Sequence, residues 1–136
     1  MGVIREHTQA IDGIAYTTQT MPASDGLKIL PRLVALLGDS LTGLFFATSE
    51  EDRDKLLENP KVLGAMISEI SRAAAEDDGL LVLRDMLKST SADLVRVGDA
   101  EIPASVHTHF DQHFAGRYRH LLEVCLWVGR VNFTNP

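Results

Sequence analysis

Val106, Phe110, Phe114, Tyr118, Leu121, Cys125 and Val128 recur at intervals of three or four residues, the spacing that places side chains on one face of an α-helix. The run predicts a long C-terminal helix of about six turns within residues 103–133, its apolar face turned to a core. The same stretch holds four of the five histidines, the only Trp and the only Cys. Ser105 or Pro103 stands where a cap or a first-turn proline belongs, and Gly129 is a natural stop. Gly116 either weakens the middle by up to about 1 kcal/mol relative to Ala or permits close helix packing.

The rest of the chain reads as cover for that helix. Residues 3–9 and 14–20 are β-branched and Thr-rich and flank Asp12-Gly13, which supplies the positive-φ position of a tight hairpin turn. A second hairpin is expected where Asp93 to Val97 alternates, Gly98-Asp99 turns and Ala100 to Ile102 returns. Between them, Ser24 or Asp25 caps a helix whose Leu27, Leu30, Val34 and Leu37 face inward. Pro31 inside this pattern implies a kink or two abutting helices. Leu41, Leu44, Phe45 and Phe46 form an apolar knot, read as core or as the lip of a partner groove. Thr48, Ser49 and the acids after them cap a short helix to about Glu58. Further helices follow from Lys61, with Leu63, Met66, Ile67, Ile70 and Ala74 on one face, and from Leu80 to Lys88. The expected fold is α+β: a mainly helical single domain over residues 1–136, with one or two small antiparallel β-hairpins paired in one small sheet and a long C-terminal helix.

The 136 residues carry a formal net charge of −6. This argues against nucleic acid, whose phosphates need clustered Lys and Arg, and against an anionic membrane surface. No segment reaches the ~18 apolar residues of a membrane span, and the N-terminus lacks a basic region followed by an apolar run. One cysteine excludes an intramolecular disulfide and fits a reducing compartment, so a cytoplasmic location is expected.

Chemistry finds little support. His109 and His113 are four apart on the predicted helix and His120 lies two turns beyond, but Phe110 follows His109 where a catalytic zinc helix needs Glu, and no third ligand is evident. These histidines are expected at solvent or an interface, where His107, His109, His113, Arg117, Arg119 and His120 make a locally basic strip. Glu76-Asp77-Asp78-Gly79 lacks the alternation of a calcium loop. Cys125, between Val124 and Leu126-Trp127, sits in an apolar setting that suppresses the thiolate. There is no nucleophile elbow, phosphate loop or dinucleotide fingerprint. The expectation is a non-enzyme with no catalytic, cofactor-binding or metal residues.

The order of features resembles the tail assembly chaperones of tailed bacteriophages and prophages. The carrying segments are Ile11-Asp12-Gly13 and its strand, Met21-Pro22-Ala23 leading into Leu27-Lys28-Ile29-Leu30-Pro31-Arg32-Leu33, the leucine-rich middle, the second hairpin, and Leu126-Trp127-Val128 through Val131-Asn132-Phe133. The resemblance implies a non-enzymatic protein of the host cytoplasm that holds the tape-measure protein, has the tail-tube protein as a second partner, and often has a longer frameshifted isoform. Self-association is left open. Aromatic anchors supply most interface energy, so Phe45, Phe46, Trp127, Val131 and Phe133 are the expected partner-binding residues. The competing readings are a structural tail or baseplate subunit retained in the virion and, less favoured, a small metal-dependent enzyme.

Overall fold

The computed structural model describes residues 5–45, 51, 55, 58–74 and 78–134. Strands β1 (Glu6–Ile11) and β2 (Ile14–Gln19) form an antiparallel hairpin that closes where Ile11 faces Ile14. Asp12 and Gly13 take φ of 50° and 81°, the two positive values that a tight primed turn demands and that Asp and Gly tolerate. Strands β3 (Thr90–Val97) and β4 (Ala100–Ser105) repeat the device at Gly98-Asp99, with Gly98 at φ 64°. β2 also pairs with β3, from Tyr16 opposite Ala92 to Thr18 opposite Thr90, giving one four-stranded antiparallel sheet in the order β1-β2-β3-β4.

This sheet overturns the expectation of a mainly helical domain with small hairpins attached. An isolated hairpin is marginal in water, and here the inner residues Ile11, Ile14, Tyr16, Ala92 and Val95 are all buried in the core. The sheet is therefore a full layer. A bulge in β3 makes it work: Ala92 pairs with Ala104 and Val95 with Ile102, so Asp93 and Leu94 together stand opposite Pro103. Without the extra residue Val95 would point away from Ala92's side. With it both are buried and Leu94 turns outward, 38% exposed. The bulge also aims Asp93, whose Oδ1 accepts the Ala15 N–H at 2.9 Å. At the other end of the β2–β3 pairing, the facing Thr18 and Thr90 hydroxyls bond at 2.8 Å in a buried contact.

Helix α1 (Ala23–Phe45) runs unbroken through Pro31. Pro31 is exposed, and the Leu27 carbonyl that it leaves without a helical donor belongs to an exposed residue. The inward stripe is Ile29 and Leu33, with Leu30 and Val34 only half-buried and Leu27 74% exposed. The helix is thus rotated from the expected Leu27-Leu30-Val34 facing. Helices α2 (Pro60–Ala74) and α3 (Asp78–Met86) follow. Glu51, Lys55 and Glu58 are helical, and Lys55 pairs with Glu51 at 3.6 Å. α3 contributes Val82, Leu83 and Met86 to the core, and its Arg84 guanidinium lies 5.8 Å from the Phe110 ring.

The C-terminal helix begins later than its apolar spacing suggests. β4 carries the chain to Ser105, a turn leads to the short α4 (Phe110–His113), and Gly116 at φ 71° reverses direction before α5 (Tyr118–Gly129). Gly116 is therefore a break between helices, held by the Arg117 N–H on the Phe114 carbonyl at 3.0 Å. The apolar side chains Val106, Phe110, Phe114, Leu121, Cys125 and Val128 are all buried even so. Gly129 does not stop the chain, which continues into a π-helical turn over Arg130–Thr134. α5 touches β1, α2 and α3, and is the element shared by the sheet and the helices.

Phe133 in the π-turn packs over Gly26 of α1: a Cβ added at Gly26 would stand 3.6 Å from Phe133 Cε1, an ordinary contact distance. Gly26→Ala is therefore expected to stabilise the protein by about 0.5–1 kcal/mol in urea denaturation, through the lower conformational entropy of the unfolded chain. A loss of stability would show that Phe133 sits closer than this.

Candidate functional site

The histidines expected at solvent or an interface are, in two cases, inside. His113 is fully buried and His120 is 6% exposed. Both reach the hydroxyl of Tyr16 on β2, His113 Nε2 at 2.7 Å and His120 Nε2 at 2.5 Å. On the far side of each ring, the Arg96 N–H approaches His113 Nδ1 at 3.5 Å and His120 Nδ1 lies 2.9 Å from Asp12 Oδ2. One assignment of protons satisfies every contact. The Arg96 amide donates to His113 Nδ1, so His113 Nε2–H donates to the Tyr16 oxygen. Tyr16 O–H then donates to His120 Nε2, and His120 Nδ1–H donates to Asp12. The chain of bonds ties the first hairpin turn, β2, β3, α4 and α5 together.

Burial decides the charge state. Desolvation, aided by the nearby Arg117, His120 and Arg96, lowers the His113 pKa from 6.5 to about 4, so the ring is neutral at pH 7. Desolvation likewise pushes the Tyr16 phenol up, against the opposing effect of Arg117, and the ring stays protonated. Cys125, fully buried, is pushed up to about 12 by the same cause and is no nucleophile near neutrality. Arg117 Nε is buried with no hydrogen-bond partner among the described residues. Donor atoms of Asp12, His120 and Glu123 lie within 4.8 Å of one another. As the side chains stand, however, His120 Nδ1 is bonded to Asp12 and Glu123 is ion-paired with Arg119 at 3.1 Å. The network is a packing device in which every contact has a partner. His107 and His109 lie apart from it, half-buried in the turn before α4.

The residues singled out as partner contacts fall in three places. Trp127 and Val131 are 8% and 7% exposed and belong to the core, while Phe133 is half-buried against it. Phe45 is the last residue of α1, and Phe46 lies outside the described residues. Asn132, part of the ending that carries the family resemblance but not among the expected contact residues, fixes the end of this segment. Its Oδ1 accepts the Met21 N–H at 2.7 Å and its Nδ2 donates to the Val128 carbonyl at 2.9 Å. The π-turn is thereby strapped across the start of α1, next to Gly26. Beside it a groove of about 210 Å³ opens between α1 and the end of α3, lined by Met21, Lys28, Ile29, Met86, Lys88 and neighbours.

No helix among the described residues is long and apolar enough to cross a membrane. A family model described as "Phage tail assembly chaperone protein, TAC" matches residues 12–136. No curated protein and no solved structure matches the chain.

Proposed function

The chain belongs to the phage tail assembly chaperone family, and from that premise we propose that it acts without catalysis in the host cytoplasm, holding a helical segment of the tape-measure protein while tail-tube subunits polymerise around it. The observations that carry this reading lie at the start of α1, where Leu27 stands 74% exposed and the half-buried Phe133 packs over the neighbouring Gly26. An amphipathic helix binds through apolar anchors a turn or two apart, and this end offers them on a rigid support. Phe133 is the direct contact in this proposal. Trp127 and Val131 act from below by holding the π-turn that presents it, and Phe45 and Phe46 stay proposed as further contacts on the strength of their residue type alone.

Co-purification with the tape-measure protein of the same phage tests the reading. Leu27→Asp changes an exposed position and should leave the fold intact, since surface substitutions shift stability by about 0.5 kcal/mol or less. It is expected to reduce capture at least about tenfold, as the burial of a charge in an apolar contact requires. Phe133→Ala should do the same. Undiminished capture by a folded Leu27→Asp protein sinks the proposal. Mass spectrometry of finished particles adds a second check: a chaperone is absent from them, whereas a structural subunit is present in fixed ratio.

A further inference from the structure

We propose that the groove beside this apolar end reads a carboxylate, so that the captured segment carries an acidic side chain next to an apolar one. The inference rests on the capture reading above and specifies which segment is captured. Its floor is apolar: Ile29 and Met86 are 6% and 1% exposed, and Met21 lies half-buried beside them. At about 210 Å³ it is smaller than the roughly 300–1,000 Å³ of small-molecule sites, so it suits a side chain or two of a docking peptide.

The rim is where this groove departs from the rest of the molecule. The chain as a whole has a net charge of −6, yet the groove is lined by three cations, Lys28, Arg32 and Lys88, against two carboxylates, Asp25 and Asp85. Arg32 and Asp85 are already paired at 3.3 Å. That leaves Lys28 and Lys88, both exposed, with Asp25 in the first turn of α1, where the helix dipole favours its charge. An entering carboxylate therefore meets two ammonium groups against the one carboxylate of Asp25, a net positive rim over an apolar floor. The dipole of α1 adds attraction at the same end. Nucleic acid, with a phosphate at every step, would meet repulsion from the acidic remainder of the surface.

Continuity with the strap argues for a single binding surface. Met21 contributes its side chain to the groove and its amide to Asn132, and Lys28 follows Leu27 directly in the chain. A segment seated on Phe133 thus reaches the groove through Met21, which Asn132 holds. Ion pairs at such a rim fix orientation and speed encounter more than they add affinity, which is how one acidic apolar segment would be chosen among many apolar ones.

The test uses overlapping synthetic peptides that span the tape-measure protein of the same phage, titrated with the full chain and read by fluorescence anisotropy. Binding peptides should pair an acidic residue with an apolar neighbour, and their affinity should fall as salt rises from about 20 to about 300 mM. The exposed pair Lys28→Glu and Lys88→Glu should weaken binding at least about tenfold and reverse its salt dependence, because salt screens the new repulsion, and peptides whose acid is replaced by Lys should recover binding to that variant. If Leu27→Asp abolishes peptide binding while the lysine variants bind normally, capture stands and the groove has no part in it. If no peptide binds, or neither set of changes alters binding, both the groove and the capture reading fall.

Discussion

Tyr16→Phe is expected to destabilise the protein by about 2–4 kcal/mol, more than a single hydroxyl on a surface could account for. The hydroxyl is the shared partner of two buried imidazoles, at 2.7 Å from His113 and 2.5 Å from His120. Removing it leaves a buried N–H on His113 and a buried acceptor on His120, each costing about 1–3 kcal/mol when orphaned. Solvent cannot reach the gap easily, because Tyr16 and His113 are both fully buried. Urea denaturation should show the midpoint falling with the slope unchanged, which marks a change in stability and not in the denatured state. The partner substitution sharpens the result. His113→Leu in the Tyr16→Phe background removes the orphaned donor, so the double variant should be more stable than the sum of the single losses by about 1 kcal/mol or more. A loss below about 0.5 kcal/mol in Tyr16→Phe would mean that the two histidines find other partners and that the hydroxyl is not the hub of the network.

The features legible in the sequence are those decided within a few residues. Asp12-Gly13 and Gly98-Asp99 turn where expected because positive φ is a local demand that few residue types meet. What escaped is decided across the chain. The phase of α1 is set by Ile29 and Leu33 facing the core and by Phe133, from the opposite terminus, lying over Gly26; nothing near Leu27 announces that it will be exposed. The weight of the sheet is illegible for a related reason: the pairing of the two hairpins is expected, but the burial of Ile11, Ile14, Tyr16, Ala92 and Val95 in one core depends on residues from distant parts of the chain. Gly116 could be read as a weak point or as a packing site, but the 3–4 spacing runs straight across it, so periodicity could not show that the helix breaks there.

The buried histidines are the instructive case among the candidate residues. Sequence reasoning weighed His109 with His113 as a ligand pair, and the structure instead joins His113 to His120 through Tyr16 of the first hairpin. A signal was available. His113 precedes Phe114 and His120 precedes Leu121, both on the apolar stripe, so each stands on the flank of a face that is more than 100° wide. A histidine in that position is a candidate for burial with a polar partner, and a Tyr in the facing strand is the kind of partner that suits it. Which Tyr or Ser supplies the bond depends on the sheet order, and that is a tertiary fact.

Acid is expected to weaken the fold through His113, in a pH range above the one where carboxylates dominate. The folded-state pKa is lowered from 6.5 to about 4, with burial as the main cause. Between those values the unfolded chain binds the proton and the folded one does not, so stability rises with pH there. The contribution is fully present above about pH 6.5 and is lost as the pH falls through the folded value near 4. A shift of this size corresponds to roughly 3 kcal/mol in all, with a slope approaching 1.4 kcal/mol per pH unit. The groups facing the ring make it costly to charge: Arg96 on β3, Arg117 ahead of α5 and His120 on α5 all oppose a further positive charge. Unfolding free energies from urea titrations at several pH values between about 7.5 and 4.5 would resolve the effect, since native-state carboxylates lose most of their contribution below about pH 5. His113→Asn removes the titrating ring, and its stability should be lower at neutral pH but nearly flat between pH 6.5 and 5. A wild-type curve as flat as the variant's over that interval would show that the ring is reached by water and titrates at its ordinary value.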